Sequence, residues 1–248
     1  MMRGWRRNWK NMDYPPLSAS HRQRALDRFV SSISRRWLEI FGIVLGLLVL
    51  MPFLAPLLMQ LELSGPARII YFIYSFLCHQ LPERSFFLFG PQTMYTMQEL
   101  QGAGADFTHM FTLRKFIGSP ELGWKVAWSD RMVWMYSSLL ATGLLWRPLL
   151  SKIKVLPWWG LVLFLLPMAV DGASHFISDL AGIGQGFRAS NAWLAHLTGY
   201  ALSPSFYSGD AIGSFNFIAR LISGILFGLG VTWFAFPYLE EVATGKRD

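Results

Sequence analysis

Long apolar runs dominate the chain and predict a helical membrane protein. A helix needs about 20 consecutive apolar residues to cross the hydrocarbon core of a bilayer. Four stretches reach that length, at about Trp37 to Leu61, Lys125 to Trp146, Leu156 to Asp179 and Gly213 to Tyr238. A shorter apolar segment, Ala67 to Leu81, is predicted to be a re-entrant helix or a fifth helix. The expected fold class is all-α, a polytopic membrane protein with four transmembrane helices and this one short helix.

The chain is more polar before the first apolar run and in two long loops. Residues 1–36 are predicted to be a basic tail, in which His21 to Trp37 has apolar residues at spacings of three and four with arginines between them. This spacing is typical of an amphipathic helix that lies at the membrane interface. Residues 37–240 are expected to form the membrane domain, with polar loops at about 82–124 and 180–212, and residues 241–248 a short tail.

Composition and charge agree with this class. The sequence is 53% hydrophobic and only 15% charged, which is less charge than soluble domains of this size carry. The net charge of +7 is concentrated in the first 36 residues. Beside a hydrophobic span, such a surplus indicates orientation in the membrane, so we expect no nucleic-acid partner. The first apolar run begins too far into the chain, and is too long, for a cleavable signal peptide. The single cysteine, Cys78, excludes an intramolecular disulfide.

The positions of the cations predict the topology. The loop after Trp146 contains Arg147, Lys152 and Lys154 without an acid, so it should be cytoplasmic, like the N-terminus. The two long polar loops should then lie outside. We expect a protein integral to the cell (inner) membrane, whose partners are the lipid bilayer and, in one interpretation, other membrane subunits.

Ionisable residues inside or beside the apolar spans are the informative ones for function. A charge near the centre of a bilayer costs about 3 kcal/mol, so these residues should be paired, hydrated or functional. Four groups stand out: Cys78, His79, Gln80, Glu83 and Arg84; Asp130 and Arg131; Asp171, His175 and Asp179; and Asn216 and Arg220. They occupy matching ends of antiparallel elements, so we expect them to converge at one membrane face.

The third group offers candidate metal ligands. Asp171, His175 and Asp179 are spaced four and four, which places them on one face of a helix. Imidazole and carboxylates bind zinc and similar divalent ions, and His79 or Glu83 could complete the set. Such a metal would activate water or polarise a carbonyl or phosphoryl group. No HExxH motif or CxxC pair supports this hypothesis.

Other residues in these groups have competing interpretations. Candidates for catalysis are Glu83, Asp130 and Arg131. Candidates for structural ion pairing are Arg84, Arg220 and Asn216. In the structural interpretation, the aspartates pair with arginines on neighbouring helices and hold the bundle together. A third interpretation is a proton- or ion-translocating site.

One segment resembles a known family. Cys78 to Phe86 (CHQLPERSF) is similar to a motif of the domain of unknown function 2085 family, which comprises prokaryotic integral membrane proteins. The resemblance extends over roughly residues 67–180. A second motif of that family, Cys-x-Arg-Cys-x-Gly-x-Tyr, falls on Ser129 to Tyr136, where only Arg131 and Tyr136 match. Its two cysteines are absent here, so the resemblance does not imply a cysteine-zinc site. A third motif, Asp-Gly, matches Asp171 and Gly172.

The sequence therefore predicts an integral membrane protein with a polar site at one face. The site is a candidate for a divalent metal and for action on a lipid-like substrate. The alternatives are a non-catalytic accessory subunit of a larger membrane complex and an ion or proton transporter. No motif for an organic cofactor is present, because the stretch Gly182 to Phe187 lacks the required frame of glycines and a preceding strand. The sequence leaves open whether the protein is an enzyme.

Overall fold

The computed structural model describes residue 29 and residues 31–245, and these are mostly helical. The helices in chain order are α1 (Trp37–Gln60), α2 (Ser64–Tyr74), α3 (Met97–Gly102), α4 (Met110–Leu113), α5 (Asp130–Leu144), α6 (Trp158–Asp179), α7 (Phe187–Ser190), α8 (Ala192–Leu197), α9 (Pro204–Tyr207) and α10 (Phe215–Thr244). The strands are β1 (Ser85–Leu88), β2 (Gly118–Ser119) and β3 (Gly123–Ser129), and short 3-10 turns occupy Pro82–Arg84 and Leu150–Lys152. Most of the predicted amphipathic helix lies outside the described residues, although residues 31–35 are helical.

Three of the described helices are long and apolar enough to span a membrane. These are α1, α6 and α10, with 24, 22 and 30 residues. At about 1.5 Å per residue they are roughly 33 to 45 Å long, enough for a hydrocarbon core of about 30 Å. Large apolar side chains on them face outward, including Ile43 on α1 and Leu163 on α6. Such surfaces suit a lipid environment. The helical class is confirmed, and each of these helices begins within two residues of its predicted start.

The fourth predicted crossing, Lys125 to Trp146, is not one helix. Its first part belongs to β3, and only Asp130–Leu144 is α-helical, with 15 residues. A helix of that length is roughly 22 Å long and falls short of the hydrocarbon core. The sequence argument failed because an apolar run does not distinguish a buried strand from a helix. The β-prone residues Trp124, Val126 and Trp128 make the first half a strand.

The short segment predicted from Ala67 to Leu81 is helical only up to Tyr74. Helix α2 has 11 residues and is too short to cross a membrane. It packs against α1, and the Tyr74 hydroxyl donates to the carbonyl of Leu48 over 2.9 Å. The chain then leaves the helix, so that Cys78 to Gln80 lie in an irregular segment beside the start of α5.

A small antiparallel sheet occupies part of the predicted polar loop. The strand order is β1-β3-β2, and β1 is aligned so that Ser85 faces Ser129 and Phe87 faces Lys125. Strand β3 runs directly into α5, so the sheet fixes the position of Asp130 at the start of that helix. The turn before β3 requires Gly123, which has a φ of 77° and no room for a side chain beside the carbonyl of Leu88.

Helices α5 and α10 pack closely along their length. Gly224 and Gly228 of α10 lie against the backbone and side chains of α5, where any Cβ atom would be closer than 3.0 Å to its neighbours. The hydroxyl of Ser138 donates to the carbonyl of Gly224, and those of Thr142 and Thr232 are 2.8 Å apart. Small residues and neutral hydroxyls therefore set the spacing between the two helices.

Candidate functional site

The predicted polar groups meet at one end of the helical bundle. Helix α5 begins with Asp130, α6 carries its acidic and histidine residues in its last three turns, and α10 places Arg220 in its second turn. The 3-10 turn after α2 adds Arg84. We call the resulting set the charge cluster, and its members are Arg84, Asp130, Arg131, Asp171, His175, Asp179, Arg188, Asp210 and Arg220.

Arg220 is the centre of one half of the charge cluster. Its Nε donates to Oδ2 of Asp130 over 2.7 Å, and its Nη2 donates to the backbone carbonyl of Asp210 over 2.7 Å. Its Nη1 donates to the Asp210 carboxylate. Arg220 is 1% exposed and Asp130 is fully buried. Two carboxylates thus compensate one buried cation, as burial of charge requires.

Helix α6 supplies the other carboxylates of the charge cluster. Oδ2 of Asp171 accepts from Arg131 over 2.7 Å, and its Oδ1 accepts from Arg188 over 2.6 Å. Asp179 receives Arg84 in a two-point contact, with N–O distances of 2.7 and 2.8 Å. Both oxygens of each aspartate are therefore occupied by guanidinium groups. Planar two-point contacts of this kind also fix the orientation of the arginine.

Asp210 joins the two halves, because its carboxylate also accepts from Arg84 Nε over 3.2 Å. Burial alone would raise the pKa of Asp210, but the guanidinium groups of Arg84 and Arg220 together lower it well below its ordinary value. Asp210 therefore carries its negative charge throughout the physiological range.

His175 lies between the two halves. Its Nε2 is 3.0 Å from Nη2 of Arg188 and 3.5 Å from Nη1 of Arg220. A guanidinium group has no acceptor, so Nε2 must accept, and we assign the ring proton to Nδ1. His175 is 3% exposed, and among the described residues Nδ1 has no hydrogen-bond partner. The imidazole is therefore a neutral, oriented donor.

Two cavities flank the charge cluster. The first cavity has a volume of about 310 Å³ and is lined by arginines and aspartates at its inner end and by Met132, Phe176 and Leu180 elsewhere. Phe176 and Leu180 are 68% and 72% exposed, so this cavity opens to the side at the end of α6. The second cavity, of about 340 Å³, is lined by Thr96 and the start of α3, by Gly184 and part of α7, and by Ser208 to Ala211. Arg84, His175 and Asp179 line both cavities and form the partition between them.

The geometry does not support the predicted metal site. In the described part of the chain, no three His, Cys, Asp or Glu side chains are placed to hold a metal ion. The carboxylates of Asp171 and Asp179 face guanidinium groups, and the nearest approach of His175 to Asp171 is 3.8 Å. His79 is exposed at the wall of the first cavity. The four-residue spacing correctly predicted that Asp171, His175 and Asp179 lie on one helix, but arginines from elsewhere in the chain bind the two carboxylates.

The three catalytic candidates lie in different surroundings. Asp130 and Arg131 line the first cavity, where Arg131 is partly exposed. Glu83 lines neither cavity. It is 2% exposed, and neither carboxylate oxygen has a hydrogen-bond partner among residues 31–245. Burial raises the pKa of Glu83 to about 7, although the adjacent Arg84 opposes the shift.

Lys125 is a second buried ionisable group near Glu83. It is fully buried in β3, and its Nζ donates to the carbonyls of Gln80 and Arg114 over 2.7 and 2.8 Å. Burial lowers the pKa of Lys125 to about 7, while the charge of Glu83 opposes that shift. This lysine ties the segment after α2 to the loop before β2.

Two members of the charge cluster, Arg188 and Asp210, were not among the predicted site residues. They are the only charged residues in the loop 180–212. Two lone charges in an otherwise uncharged loop were the sequence feature from which their role could have been predicted. Asn216, a predicted pairing residue, holds them in place. Its Nδ2 donates to the carbonyls of Arg188 and Gly209 over 2.8 Å each, and its Oδ1 accepts from Asn191. Asn216 therefore positions the backbone on which both charges are carried.

Comparison with known proteins adds a relative but no activity. An uncharacterized protein of Methanocaldococcus jannaschii is 29% identical over 134 residues, which are 53% of this chain and 59% of that protein. The chain thus spans about three fifths of the relative it matches. No family model and no solved structure matches the chain. The resemblance to the domain of unknown function 2085 family stays a prediction, and function has to be argued from the geometry of the site.

Proposed function

We propose that this chain is an integral membrane protein that binds a lipid-like molecule in the first cavity, in the inner (cell) membrane with its N-terminus cytoplasmic. The single observation that carries the proposal is the division of this cavity into an apolar mouth and a charged inner end. An amphiphile has the same division, with a polar head and an apolar chain.

The position of the mouth supports access from the bilayer. Phe176 and Leu180 belong to the last turn of α6 and the residue after it, and both are largely exposed. In a membrane, the end of a spanning helix lies near the head groups, so a lipid could place its head in the cavity while its chain stays along α6. A volume of about 310 Å³ accommodates a head group and the first part of a chain.

Native mass spectrometry of the purified protein, titrated with phosphatidic acid and with phosphatidylcholine in mild detergent, tests the proposal. We expect one lipid to remain bound, and Met132→Trp, which fills the cavity, to weaken that complex. Leu163→Trp is the matched control, because Leu163 is an outward-facing residue of α6. Equal loss in both variants, or no retained lipid in the unsubstituted protein, would contradict the proposal.

Cys78 gives an independent readout with the native sequence. It is the only cysteine of the chain, is buried, and lines the first cavity. A bound lipid should slow its alkylation by N-ethylmaleimide in proportion to occupancy. Alkylation at an unchanged rate over the full lipid titration would count against occupation of this cavity.

A further inference from the structure

Unpartnered buried atoms around the two cavities have one chemical property in common. Among the described residues that line either cavity, the buried side-chain polar atoms without a partner are Nε of Arg131, Nδ1 of His175 and Nε of Arg188. All three are N–H donors, and none is an acceptor. Since leaving a buried donor unpaired is unfavourable, these donors suit a ligand that presents hydrogen-bond acceptors.

From these donors we infer that the molecule bound in the first cavity has an anionic phosphate head, which accepts a hydrogen bond from Nδ1 of His175. The inference rests on the proposed function, since it specifies the class of the lipid-like ligand. It assigns to His175 a role as a ligand-binding donor, with its ring held in place by Arg188 and Arg220.

His175 is suited to this role because its other nitrogen is already used. Nε2 accepts from Arg188, and turning the ring over would place the Cε1–H group against the guanidinium and lose this hydrogen bond. This hydrogen bond fixes the orientation of the ring. Nδ1 is therefore a donor of fixed direction in a side chain that lines both cavities. A neutral donor of this kind does not require deprotonation or movement before it binds an oxygen.

The kind of side chain at the cavity wall also favours an anion. The first cavity is lined by three arginines, Arg84, Arg131 and Arg220, against two aspartates, Asp130 and Asp179. Asp171 and Asp210 compensate these arginines from outside the lining, so the charge cluster as a whole is neutral. The aspartate oxygens are engaged by arginines, which leaves the Nε of Arg131 as a donor for a ligand. A phosphate monoester presents three terminal oxygens, enough for the two unpartnered donors of residues that line this cavity, Nε of Arg131 and Nδ1 of His175.

Two substitutions of His175 test the roles of its two ring nitrogens separately. His175→Asn places an amide N–H group near the position of Nδ1, and His175→Gln places its amide near Nε2. We expect His175→Gln to weaken binding of phosphatidic acid by roughly tenfold or more, which corresponds to the loss of one hydrogen bond to a charged group. His175→Asn should keep most of the affinity, and its thermal unfolding should show the larger loss of stability because Arg188 and Arg220 lose their acceptor.

Arg131→Lys provides a second test that does not depend on His175. Lysine keeps the cation beside Asp171 but has no Nε–H group at the position of the arginine. We expect weaker binding of phosphatidic acid by this variant too. Arg147→Lys is the matched control, because Arg147 pairs with Glu240 on an exposed surface away from both cavities.

Three probes distinguish this inference from the proposed function: phosphatidic acid, diacylglycerol with the same chains, and inorganic phosphate. Tight binding of phosphatidic acid alone, with loss in His175→Gln and Arg131→Lys, supports the inference. Diacylglycerol bound as tightly as phosphatidic acid, or unchanged affinity in both variants, would overturn it while leaving lipid binding intact. Inorganic phosphate bound as tightly as phosphatidic acid would overturn the lipid-like ligand, and failure of both lipids would overturn both proposals.

Discussion

Helices α5 and α10 are held together in two different ways along their shared length. At one end, Arg220 of α10 reaches Asp130 of α5 in a fully buried ion pair. Further along, Gly228 and Thr232 of α10 meet α5 through close backbone contact and a pair of hydroxyl groups. The second arrangement needs no charge and leaves none of these hydroxyls without a partner, as is usual where helices pack in a membrane.

The difference between these regions indicates which one is a site. Close packing of glycines already holds the helices together, so charges are not needed to join α5 to α10. Charged residues near a bilayer are costly, and the charge cluster still contains donors without partners. A region that existed only to join helices would not need to leave Nδ1 of His175 unpaired. We therefore infer that the glycine contact holds α5 and α10 together and that the charge cluster binds the ligand.

Removal of Arg220 should give the largest effect. Arg220→Gln leaves Asp130 and Asp210 without their shared cation, and loss of one partner of a buried pair costs about 3 to 5 kcal/mol. Thermal unfolding in detergent measures the loss. Asp130→Asn combined with Arg220→Gln should be less destabilising than Arg220→Gln alone. A double variant that is worse by the sum of both single losses would contradict this account of the pair.

The pH dependence should show the cost of burying Glu83 and Lys125 beside the charge cluster. The pKa of Glu83 is raised to about 7, so the folded state holds this proton more tightly than the unfolded state and its stability falls as pH rises from about 4.5 to 7. The pKa of Lys125 is lowered to about 7, so stability rises again from about 7 to 10.5. We expect a minimum near neutral pH.

Glu83→Gln isolates the acidic half of that profile. It should remove the decline below pH 7, a change of roughly 3 kcal/mol for a shift of this size. The rise at higher pH should remain and begin at a lower pH, because Lys125 loses the negative charge that opposes the lowering of its pKa. Unfolding curves from pH 5 to 9 provide the measurement. A profile for Glu83→Gln that matches the unsubstituted protein would show that Glu83 does not titrate across this range.

A larger side chain at the glycine contact between α5 and α10 should cause a smaller loss of stability. In Gly228→Ala the new Cβ would lie 2.1 Å from Oγ of Ser138 and 2.4 Å from the backbone nitrogen of Leu139, so the helices must move apart. Such overpacking costs about 1 to 3 kcal/mol. Gly46→Ala in α1 is the control, because its Cβ would contact nothing within 4 Å. Similar stability for the two variants would mean that α5 and α10 are not held by close contact.

An exposed ion pair at the opposite end of α5 and α10 should matter least. Arg147 and Glu240 are 3.4 Å apart and partly exposed. Loss of such a pair costs about 0 to 1 kcal/mol. The unfolding temperature of Arg147→Gln should therefore lie close to that of the unsubstituted protein. A loss of stability as large as that of Arg220→Gln would contradict the claim that the buried pair matters more than the exposed one.

The sequence predicted the long helices well, because length and hydropathy alone distinguish α1, α6 and α10. It did not predict the sheet, since the apolar run that includes Val126 and Trp128 suits a strand as well as a helix. The convergence of Asp130, Asp171 and Arg220 could be foreseen from matching helix ends. The partners of each carboxylate could not, because Arg188 and Asp210 come from a loop whose path is set by tertiary contacts such as those of Asn216.

Photo-crosslinking tests the central claim most directly. A phosphatidic acid that carries a diazirine close to its head group would be irradiated with the protein in phosphatidylcholine nanodiscs, and the labelled residues would be mapped by mass spectrometry. The account predicts that label concentrates on Met132 and Phe176 at the first cavity and is displaced by excess unlabelled phosphatidic acid. Label spread evenly over outward-facing residues such as Ile43 and Leu163, without displacement, would contradict it.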